Sequence, residues 1–324
     1  MIKLAANYAT LLLAFSVSAA SAESVRRIEL PGTATFPESI SVDAQGNLYG
    51  SSVTSGGIWR IKPGAAKAQQ WIKPGAFNSR STFGVLADEK NKLLWVCSND
   101  ASFMGIAGPS AVKGSHLLGF DLESGDGRKN IPLPGAPSLC NDIAIDVQGN
   151  VYVTNSLAPQ ILKLKPGSEN FEVWAEDPRF APPPNGAGLD GIAIGDDGNF
   201  YVTNFAKGEL YRVDQKGGAA GTITKLETPR PLVLPDGLRT FNGSRFLLAE
   251  GGGTIDLVTM AGDKAEIKEL DGGLAGPTGV AVSDGKVFAT EGQLQHLFDA
   301  KKNGPPELPF HVVAVPSPTE SGSK

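Results

Sequence analysis

One segment of the chain reads Asn141-Asp142-Ile143-Ala144-Ile145-Asp146-Val147-Gln148-Gly149-Asn150-Val151-Tyr152. A polar residue precedes a short apolar run, which is typical of a β-strand bounded by turn residues. A Gln-Gly-Asn turn follows, and Gly and Asn tolerate the positive φ angles that tight hairpins need. A second apolar run then carries an aromatic residue near its start. The segment therefore predicts a β-hairpin of two short strands.

This hairpin pattern recurs along the chain. Clear copies occupy residues 37–49 and 190–201, and weaker copies begin at positions 83, 236 and 278. When the copies are aligned on the turn glycine, with one-residue slips in the last two, the residue that opens each unit falls at 38, 83, 141, 190, 236 and 278. The steps between these positions are 45, 58, 49, 46 and 42 residues. Repeats of this length built from short strands are typical of β-propeller blades.

Each hairpin is followed by two further strand-like runs, such as residues 160–164 and 171–174. Four antiparallel strands in each of six units predict an all-β protein, a six-bladed β-propeller. No stretch between the units has the composition of a linker, so we expect a single domain over residues 23–324.

A ring of blades must also close on itself. Residues 27–32 resemble residues 130–135, which form the outer strand ahead of the third unit. We therefore expect the N-terminal strand to complete the last blade. Residues 310–315 also form an apolar run, which either competes for that place or pairs beside it.

The first 22 residues are typical of a cleavable signal peptide. Lys3 precedes a short apolar run around residues 11–15, and Ala20-Ser21-Ala22 has the small residues of a cleavage site. No later stretch approaches the about 18 uninterrupted apolar residues that a membrane span needs. We expect an exported protein, periplasmic or secreted, without a membrane span. The alternative is that this segment is a first core helix.

Charge and cysteine content narrow the functions further. Lys+Arg number 29 against 34 Asp+Glu, for a net charge of −5, so no basic field favours nucleic acid. The two cysteines, Cys97 and Cys140, are candidates for a disulfide in an oxidising compartment. Two buried free thiols are the alternative. Nothing in the sequence indicates an oligomeric state.

The residues that open the inner strands lie at one mouth of the central channel, because the first strand of each blade lines that channel. Carboxylates brought together there would repel one another unless a cation neutralised them. Oxygen ligands without Cys or His suit Ca²⁺, Mg²⁺ or Mn²⁺, whereas Zn²⁺ would be an unusual choice. The alternative is that such acids cap turns. The six positions hold Glu38, Phe83, Asn141, Asp190, Asp236 and Thr278.

Four of these residues resemble the metal site of the regucalcin/gluconolactonase (senescence marker protein) family. They are Glu38 in Pro-Glu-Ser, Asn141 in Asn-Asp, Asp190 in Asp-Gly and Asp236 in Pro-Asp-Gly. The resemblance covers nearly all of residues 23–324. It implies one divalent cation, with Ca²⁺ expected first, held by all four residues. It also implies that Asn141 touches the substrate and that Asp236 is the base that activates water.

The chain departs from that family at two residues, one in the metal site and one in the substrate site. Asp190 stands where the family's sugar lactonases more often have Asn, which adds a negative charge and favours Ca²⁺. Leu139 stands two residues before Asn141, where the animal sugar lactonases have an Arg that contacts substrate. The resemblance therefore transfers the metal site more fully than it transfers the sugar lactone.

The second strands end near the same mouth of the channel. We expect some of their last residues to orient the metal ligands or touch the substrate; the others would be solvated turn residues. Cys97 and Cys140 lie at this rim too, where a disulfide would brace the segment that carries Asn141. The second strands end at Ser52, Ser98, Asn155, Asn204, Glu250 and Glu291.

The leading hypothesis from the sequence is an exported, metal-dependent hydrolase of a lactone or related cyclic ester. The cation would polarise the carbonyl and lower the pKa of water, Asp236 would take the proton, and Asn141 would help to hold the carbonyl. A non-catalytic propeller that binds a ligand or protein, with a structural Ca²⁺, is the alternative. A strictosidine-synthase-like lyase or condensing enzyme is a third, against which the acidic rim argues.

Overall fold

The computed structural model describes residues 27–318, so the predicted signal segment lies outside the described residues. The chain begins with β1 (Arg27–Glu29), which is followed by five blades that are continuous in sequence. Blade one contains β2 (Ile40–Val42), β3 (Leu48–Gly50), β4 (Ile58–Ile61) and β5 (Gln69–Ile72). Blade two contains β6 (Ser81–Asp88), β7 (Leu93–Asn99), β8 (Ser115–Asp121) and β9 (Gly127–Pro132). Blade three contains β10 (Cys140–Ile145), β11 (Val151–Asn155), β12 (Gln160–Leu164) and β13 (Glu172–Glu176).

The second half of the ring repeats this order. Blade four contains β14 (Leu189–Ile194), β15 (Phe200–Asn204), β16 (Glu209–Lys216) and β17 (Ala219–Lys225). Blade five contains β18 (Pro235–Asn242), β19 (Arg245–Glu250), β20 (Thr254–Ala261) and β21 (Lys264–Asp271). Blade six contains β22 (Pro277–Ser283), β23 (Lys286–Glu291) and β24 (His311–Val315). Two short helices, α1 (Leu294–Phe298) and α2 (Ala300–Asn303), precede β24, and single 3₁₀ turns lie at Ala76–Asn78, Ser102–Met104 and Pro178–Phe180.

The predicted six-bladed propeller is confirmed. The strands form six four-stranded antiparallel sheets, and the first strand of each blade packs against the first strand of the next, including β22 against β2. No helix among the described residues is both long and apolar enough to cross a membrane.

The last blade closes with strands from both ends of the chain, in the order β22-β23-β24-β1. Ile28 pairs with Val312, and Ala289 on β23 pairs with Val313. The prediction that the N-terminal strand completes this blade is confirmed. The C-terminal run does not compete for that place but lies beside it as the third strand. Both ends of the propeller are therefore held in one sheet.

A carboxylate fixes the turn of the repeated hairpin. In blade three, Asp146 accepts hydrogen bonds from the backbone N–H and the side-chain amide of Asn150, at 2.9 and 2.7 Å, and from the hydroxyl of Tyr152 at 3.0 Å. Both oxygens of Asp146 accept hydrogen bonds from residues of the same hairpin, which explains why Asp, Gly, Asn and Tyr recur together. The same contacts join Asp43, Asn47 and Tyr49 in blade one and Asp197, Asn199 and Tyr201 in blade four.

The core lies between the faces of neighbouring sheets. Tyr152 and Trp174 of blade three both pack on Phe200 of blade four, with ring centroids 4.5 and 4.4 Å apart. Because each sheet buries both faces in this way, the blades stack around the axis and the first strands are pressed toward it. That packing is what brings one residue from each blade to the channel mouth.

Candidate metal centre

Four of the six channel-mouth residues meet in the structure. Glu38, Asp190 and Asp236 each offer a carboxylate oxygen, and these oxygens all lie within 4.8 Å of one another. The side-chain amide of Asn141 donates to the Asp190 carboxylate at 3.1 Å. All four side chains are buried, each with a relative exposure of 4%. The candidate ligands named from the sequence therefore form one cluster.

Three of these side chains, those of Asn141, Asp190 and Asp236, each lie at a β-bulge in their own strand. Cys140 pairs with Asn155 and Ile143 pairs with Val153, so β10 has one more residue than β11 across the interval that contains Asn141. Equivalent register shifts flank Asp190 on β14 and Asp236 on β18. A bulge bends its strand and redirects a side chain. Here the redirected side chain is the one at the channel mouth.

Glycine lets the inner strands approach closely enough for the cluster to form. A Cβ on Gly191 would lie 2.3 Å from the carbonyl oxygen of Asp236, and one on Gly84 would lie 2.1 Å from that of Asn141. Neither distance is tolerable between real atoms. In blades two and four, the glycine that follows the channel-mouth residue therefore touches the backbone of the channel-mouth residue in the next blade.

Hydroxyl groups join the backbones of neighbouring ligands. Thr154 accepts from the backbone N–H of Asp142 at 3.0 Å and donates to the carbonyl of Asp190 at 2.6 Å. Ser156 accepts the second N–H of the Asn141 amide at 2.9 Å. Both N–H groups of Asn141 are therefore committed, to Asp190 and to Ser156, which leaves its carbonyl oxygen as the free atom.

The segment before Asn141 is braced twice. Cys97 on β7 and Cys140 form a disulfide, which joins blades two and three at the rim. The side chain of Asn99 also donates to the carbonyl of Cys140 at 2.8 Å and accepts its N–H at 2.9 Å. These contacts fix the backbone immediately before Asn141.

Burial and mutual repulsion raise the pKa of all three carboxyls. Removal from water, and then the charge of Asp142, raise the pKa of Asp190 to about 7, against hydrogen bonds from Asp236 and Asn141. For Asp236, burial and then the charges of Asp190 and Glu38 raise the pKa well above its usual range. The pKa of Glu38 is raised by burial and then by Asp190 and Asp142, while Arg239 opposes the shift. The three groups cannot all ionise cheaply without added positive charge.

One fixed cation lies next to the cluster. Arg239 of blade five forms a two-point ion pair with Asp142 of blade three, at 2.6 and 2.9 Å, and also donates to Ser39 of blade one at 3.3 Å. It therefore crosses the channel and ties three blades together. Arg239 and Thr240 also line a cavity of about 490 Å³. The same cavity is lined by the turns that connect the first and second strands of blades two and three. Those turns lie at the mouth opposite the cluster, so Arg239 lies between the two mouths.

The donor set fits a hard divalent cation. Glu38 Oε2, Asn141 Oδ1 and Asp190 Oδ1 are buried oxygen atoms without a hydrogen-bond partner among the described residues. Leaving such an atom unsatisfied costs roughly 1–3 kcal/mol, and more for a charged group. A bound cation would satisfy all three of these oxygens, which come from three blades, and a ligand set without Cys or His suits Ca²⁺ or Mg²⁺.

The residues that end the second strands all hydrogen-bond to backbone groups, and a contact of any of them with substrate stays a prediction. None of them hydrogen-bonds to the four cluster side chains within the described residues. Each instead holds the backbone of the segment that leads into the first strand of its own blade. Asn155 accepts from Leu139 N at 3.0 Å, and Glu291 accepts from Ala275 N at 3.2 Å. The other four contacts are Ser52 to the Thr35 carbonyl, Arg80 N to Ser98, Asn204 to the Phe180 carbonyl and Val233 N to Glu250.

Sequence reasoning missed the residues that support the cluster. Arg239 is a charged residue inside an inner strand whose equivalents in the other blades are Ser41, Leu86, Ala144, Ala193 and Ala281, and that contrast was available in the sequence. Asp142 stands where four blades have glycine, which was also visible. Ser156 and Asn99 gave no such indication, because a polar residue beside a strand end is usual.

Comparisons with known proteins agree with the fold. The family model described as "Strictosidine synthase-like, N-terminal" matches residues 23–61. No curated protein matches the chain. A gluconolactonase from Xanthomonas campestris has a similar structure, with a TM-score of 0.65 and 14% identity over 90% of this chain and 89% of that chain.

Two further solved structures show how varied the chemistry on this fold is. The virginiamycin B lyase from Staphylococcus aureus has a TM-score of 0.59 and 17% identity, over 82% of this chain and 80% of that chain. The PQQ-bound aldose sugar dehydrogenase from Streptomyces coelicolor has a TM-score of 0.57 and 14% identity, over 90% and 97%. At these identities the likeness establishes the architecture, and a function has to be argued from the site.

The close approach at Gly191 is testable. In Gly191→Ala the new methyl group would collide with the Asp236 carbonyl, so we expect the unfolding free energy to fall by about 1–3 kcal/mol and Ca²⁺ affinity to fall at least tenfold. Urea unfolding and calorimetric titration measure the two effects. Gly272→Ala, where the atom nearest to the new Cβ is the end of the flexible Glu269 side chain, is the control and should change both quantities little. Wild-type affinity in Gly191→Ala would contradict the packing argument.

The raised pKa values predict an unusual dependence of stability on pH. The folded carboxyls keep protons that the unfolded chain releases above its normal pKa of about 4, so the contribution of the cluster to stability is greatest below that pH and is lost as the pH rises through the folded pKa. Asp190, with a pKa of about 7, should by itself cost about 2–3 kcal/mol between pH 5 and 8 in metal-free protein. Urea unfolding at both pH values measures this loss.

Two comparisons isolate the effect. Asp190→Asn should remove the part of this loss that Asp190 causes, because the amide does not titrate. Saturating Ca²⁺ should raise stability more at pH 8 than at pH 5, since protons compete with the ion at low pH. Metal-free protein that is equally stable at both pH values would show that the cluster does not titrate in this range.

Proposed function

We propose that this protein is an exported, divalent-metal-dependent hydrolase of a lactone or related cyclic ester. The observation that carries the proposal is the set of three unpartnered, buried oxygens on Glu38, Asn141 and Asp190 beside the carboxylate of Asp236. The fold is shared with a gluconolactonase, so the proposed reaction is one that this architecture accommodates. Ca²⁺ is the proposed ion, with Mg²⁺, Mn²⁺ and Zn²⁺ as alternatives.

The four residues would hold the ion through oxygen atoms. A divalent cation bound there would polarise the carbonyl oxygen of an ester and lower the pKa of water. Asn141 would contribute its free carbonyl oxygen, because its two N–H groups are bound to Asp190 and Ser156. The further expectation, that Asn141 also helps to hold the substrate carbonyl, stays a prediction.

Asp236 is the proposed general base. It is the cluster carboxyl whose pKa is raised by both Asp190 and Glu38, so its ionised form has a strong tendency to take a proton. In the proposed reaction, water attacks the ester carbonyl carbon and gives a proton to Asp236. The ring carbon–oxygen bond then breaks, and Asp236 returns the proton to the departing alkoxide. Arg239 would balance the charge of Asp142 throughout.

Export is the part of the proposal that concerns location. It is supported by the signal-like residues 1–22 and by the disulfide between Cys97 and Cys140, since disulfides persist mainly in oxidising compartments.

A second candidate is a non-catalytic propeller with a structural Ca²⁺. The burial of all four cluster side chains favours it, because a reacting ester has to reach the ion. The two candidates differ in whether the metal-loaded protein turns over any lactone.

Replacing the proposed base separates them. Asp236→Asn keeps an oxygen ligand but loses the proton acceptor, so we expect the ion to remain and kcat for lactone hydrolysis to fall roughly 10²–10⁴-fold. Elemental analysis and a pH-stat assay at saturating Ca²⁺ measure the two quantities. Asp263→Asn, an exposed carboxylate of blade five, is the control and should keep full activity. Full activity in metal-loaded Asp236→Asn would exclude Asp236 as the base.

A further inference from the structure

The inner strands of neighbouring blades meet in two different ways just inside the channel mouth. In four blades the residue after the channel-mouth position is a glycine that lies against the inner strand of the next blade. A Cβ on any of these glycines would lie 2.1–3.0 Å from a backbone atom of that strand. Direct backbone contact therefore closes these four junctions. The glycines are Gly84, Gly191, Gly237 and Gly279.

Side chains close the other two junctions. Blades one and three have Ser39 and Asp142 at the position where the other blades have glycine. Ser39 accepts a hydrogen bond from the backbone N–H of Val85 in blade two, at 3.2 Å. Asp142 accepts one from the backbone N–H of Ile192 in blade four, at 3.1 Å. At this level of the channel, each of the two junctions therefore depends on the orientation of one polar side chain.

Arg239 of blade five holds both of these side chains. Its guanidinium forms the two-point ion pair with Asp142, at 2.6 and 2.9 Å, and donates to Ser39 at 3.3 Å. A planar guanidinium with several fixed donors suits such a bridge, whereas a lysine ammonium is a compact point charge. One hydrogen-bonded network thus joins blades one to five. It has a member within three residues of each of the four candidate metal ligands.

The charge of Arg239 opposes the binding of a cation, because like charges repel. Removal of this side chain would leave Asp142 without its counter-ion and add negative charge beside the cluster. Coulomb attraction alone therefore predicts that Ca²⁺ binds more tightly without Arg239. A role in holding the strands predicts weaker binding. The two effects have opposite signs, so a measurement of Ca²⁺ affinity distinguishes them.

We propose that Arg239 is a positioning residue of the metal centre, which holds the inner strands of blades one and three so that Glu38 and Asn141 stay at the spacing a divalent cation requires. This inference rests on the metal centre of the proposed function and not on the hydrolysis of a lactone. In this role Arg239 touches neither the ion nor the substrate. It acts through Ser39 and Asp142, the residues that follow these two ligands in the chain.

Calorimetric titration of metal-free protein with Ca²⁺ tests the role. Arg239→Ala should bind Ca²⁺ roughly tenfold or more weakly than the wild type, as is usual when a residue that orients metal ligands is lost. Arg239→Lys keeps the charge but cannot hold Asp142 and Ser39 together, so its affinity should fall about threefold or more. Arg212→Ala is the matched control and should keep wild-type affinity. Arg212 is also ion-paired, and its side chain is 17% exposed against 16% for Arg239.

Added guanidinium separates positioning from a general loss of packing. Arg239 lines the cavity of about 490 Å³ at the opposite mouth, so guanidinium ions can reach the space that Arg239→Ala leaves. At concentrations far below those that unfold proteins, guanidinium chloride should tighten Ca²⁺ binding by this variant several-fold. Urea, which has a similar shape but no charge, and sodium chloride should not. The wild type should gain nothing from any of the three.

The outcomes distinguish this inference from the function on which it rests. Wild-type or tighter Ca²⁺ affinity in either Arg239 variant would overturn the positioning role, and so would a loss in Arg239→Ala that guanidinium does not reverse. A wild type that binds no Ca²⁺ would overturn the metal centre itself. The expected losses and rescue, without turnover of any lactone, would uphold the role of Arg239 and exclude the lactonase.

Discussion

Repulsion among three buried carboxyl groups is the constraint on which this structure depends. Glu38, Asp190 and Asp236 come from three different blades, yet their oxygens lie within 4.8 Å of one another. Burial removes the water that would screen their charges, so the free energy of the cluster falls only when protons or a cation occupy it. The rest of the propeller holds these groups against that repulsion. A cation that relieved it would also stabilise the ring, because it would join blades one, three, four and five.

The fold supplies this restraint through its backbone. Bulges aim the side chains, glycine at position 191 lets neighbouring inner strands touch, and hydroxyls such as that of Thr154 bond the strands to one another. Arg239 contributes from within the channel, since its ion pair with Asp142 crosses from blade five to blade three. The site is therefore rigid before any ligand arrives, which is the condition for selective cation binding and for electrostatic catalysis.

Much of this could be predicted from the sequence because the repeat is built from local contacts. The Asp-Gly-Asn-Tyr pattern forms one hairpin turn whose hydrogen bonds lie within the turn, so its repetition along the sequence predicts the number of blades. The residues that open the blades in turn predict the members of the cluster. The role of Asn155 and Glu250 was not predictable in the same way. In a sequence, a polar residue at a strand end is equally consistent with a ligand and with a side chain that hydrogen-bonds to backbone. The fold shows that these two residues bind the backbone of the segment before the first strand of their own blade. Arg239 finds its partner 97 residues away, a distance at which a single sequence carries no pairing information.

Anomalous diffraction from crystals grown with Mn²⁺ tests the central claim most directly, because it locates the ion without reference to activity. We expect one strong peak at the channel mouth, within about 2.6 Å of oxygens from Glu38, Asn141, Asp190 and Asp236. After chelation the peak should disappear while the propeller remains folded. Crystals that bind Mn²⁺ elsewhere, or that leave the four residues without a peak at saturating Mn²⁺, would contradict a metal centre at this position.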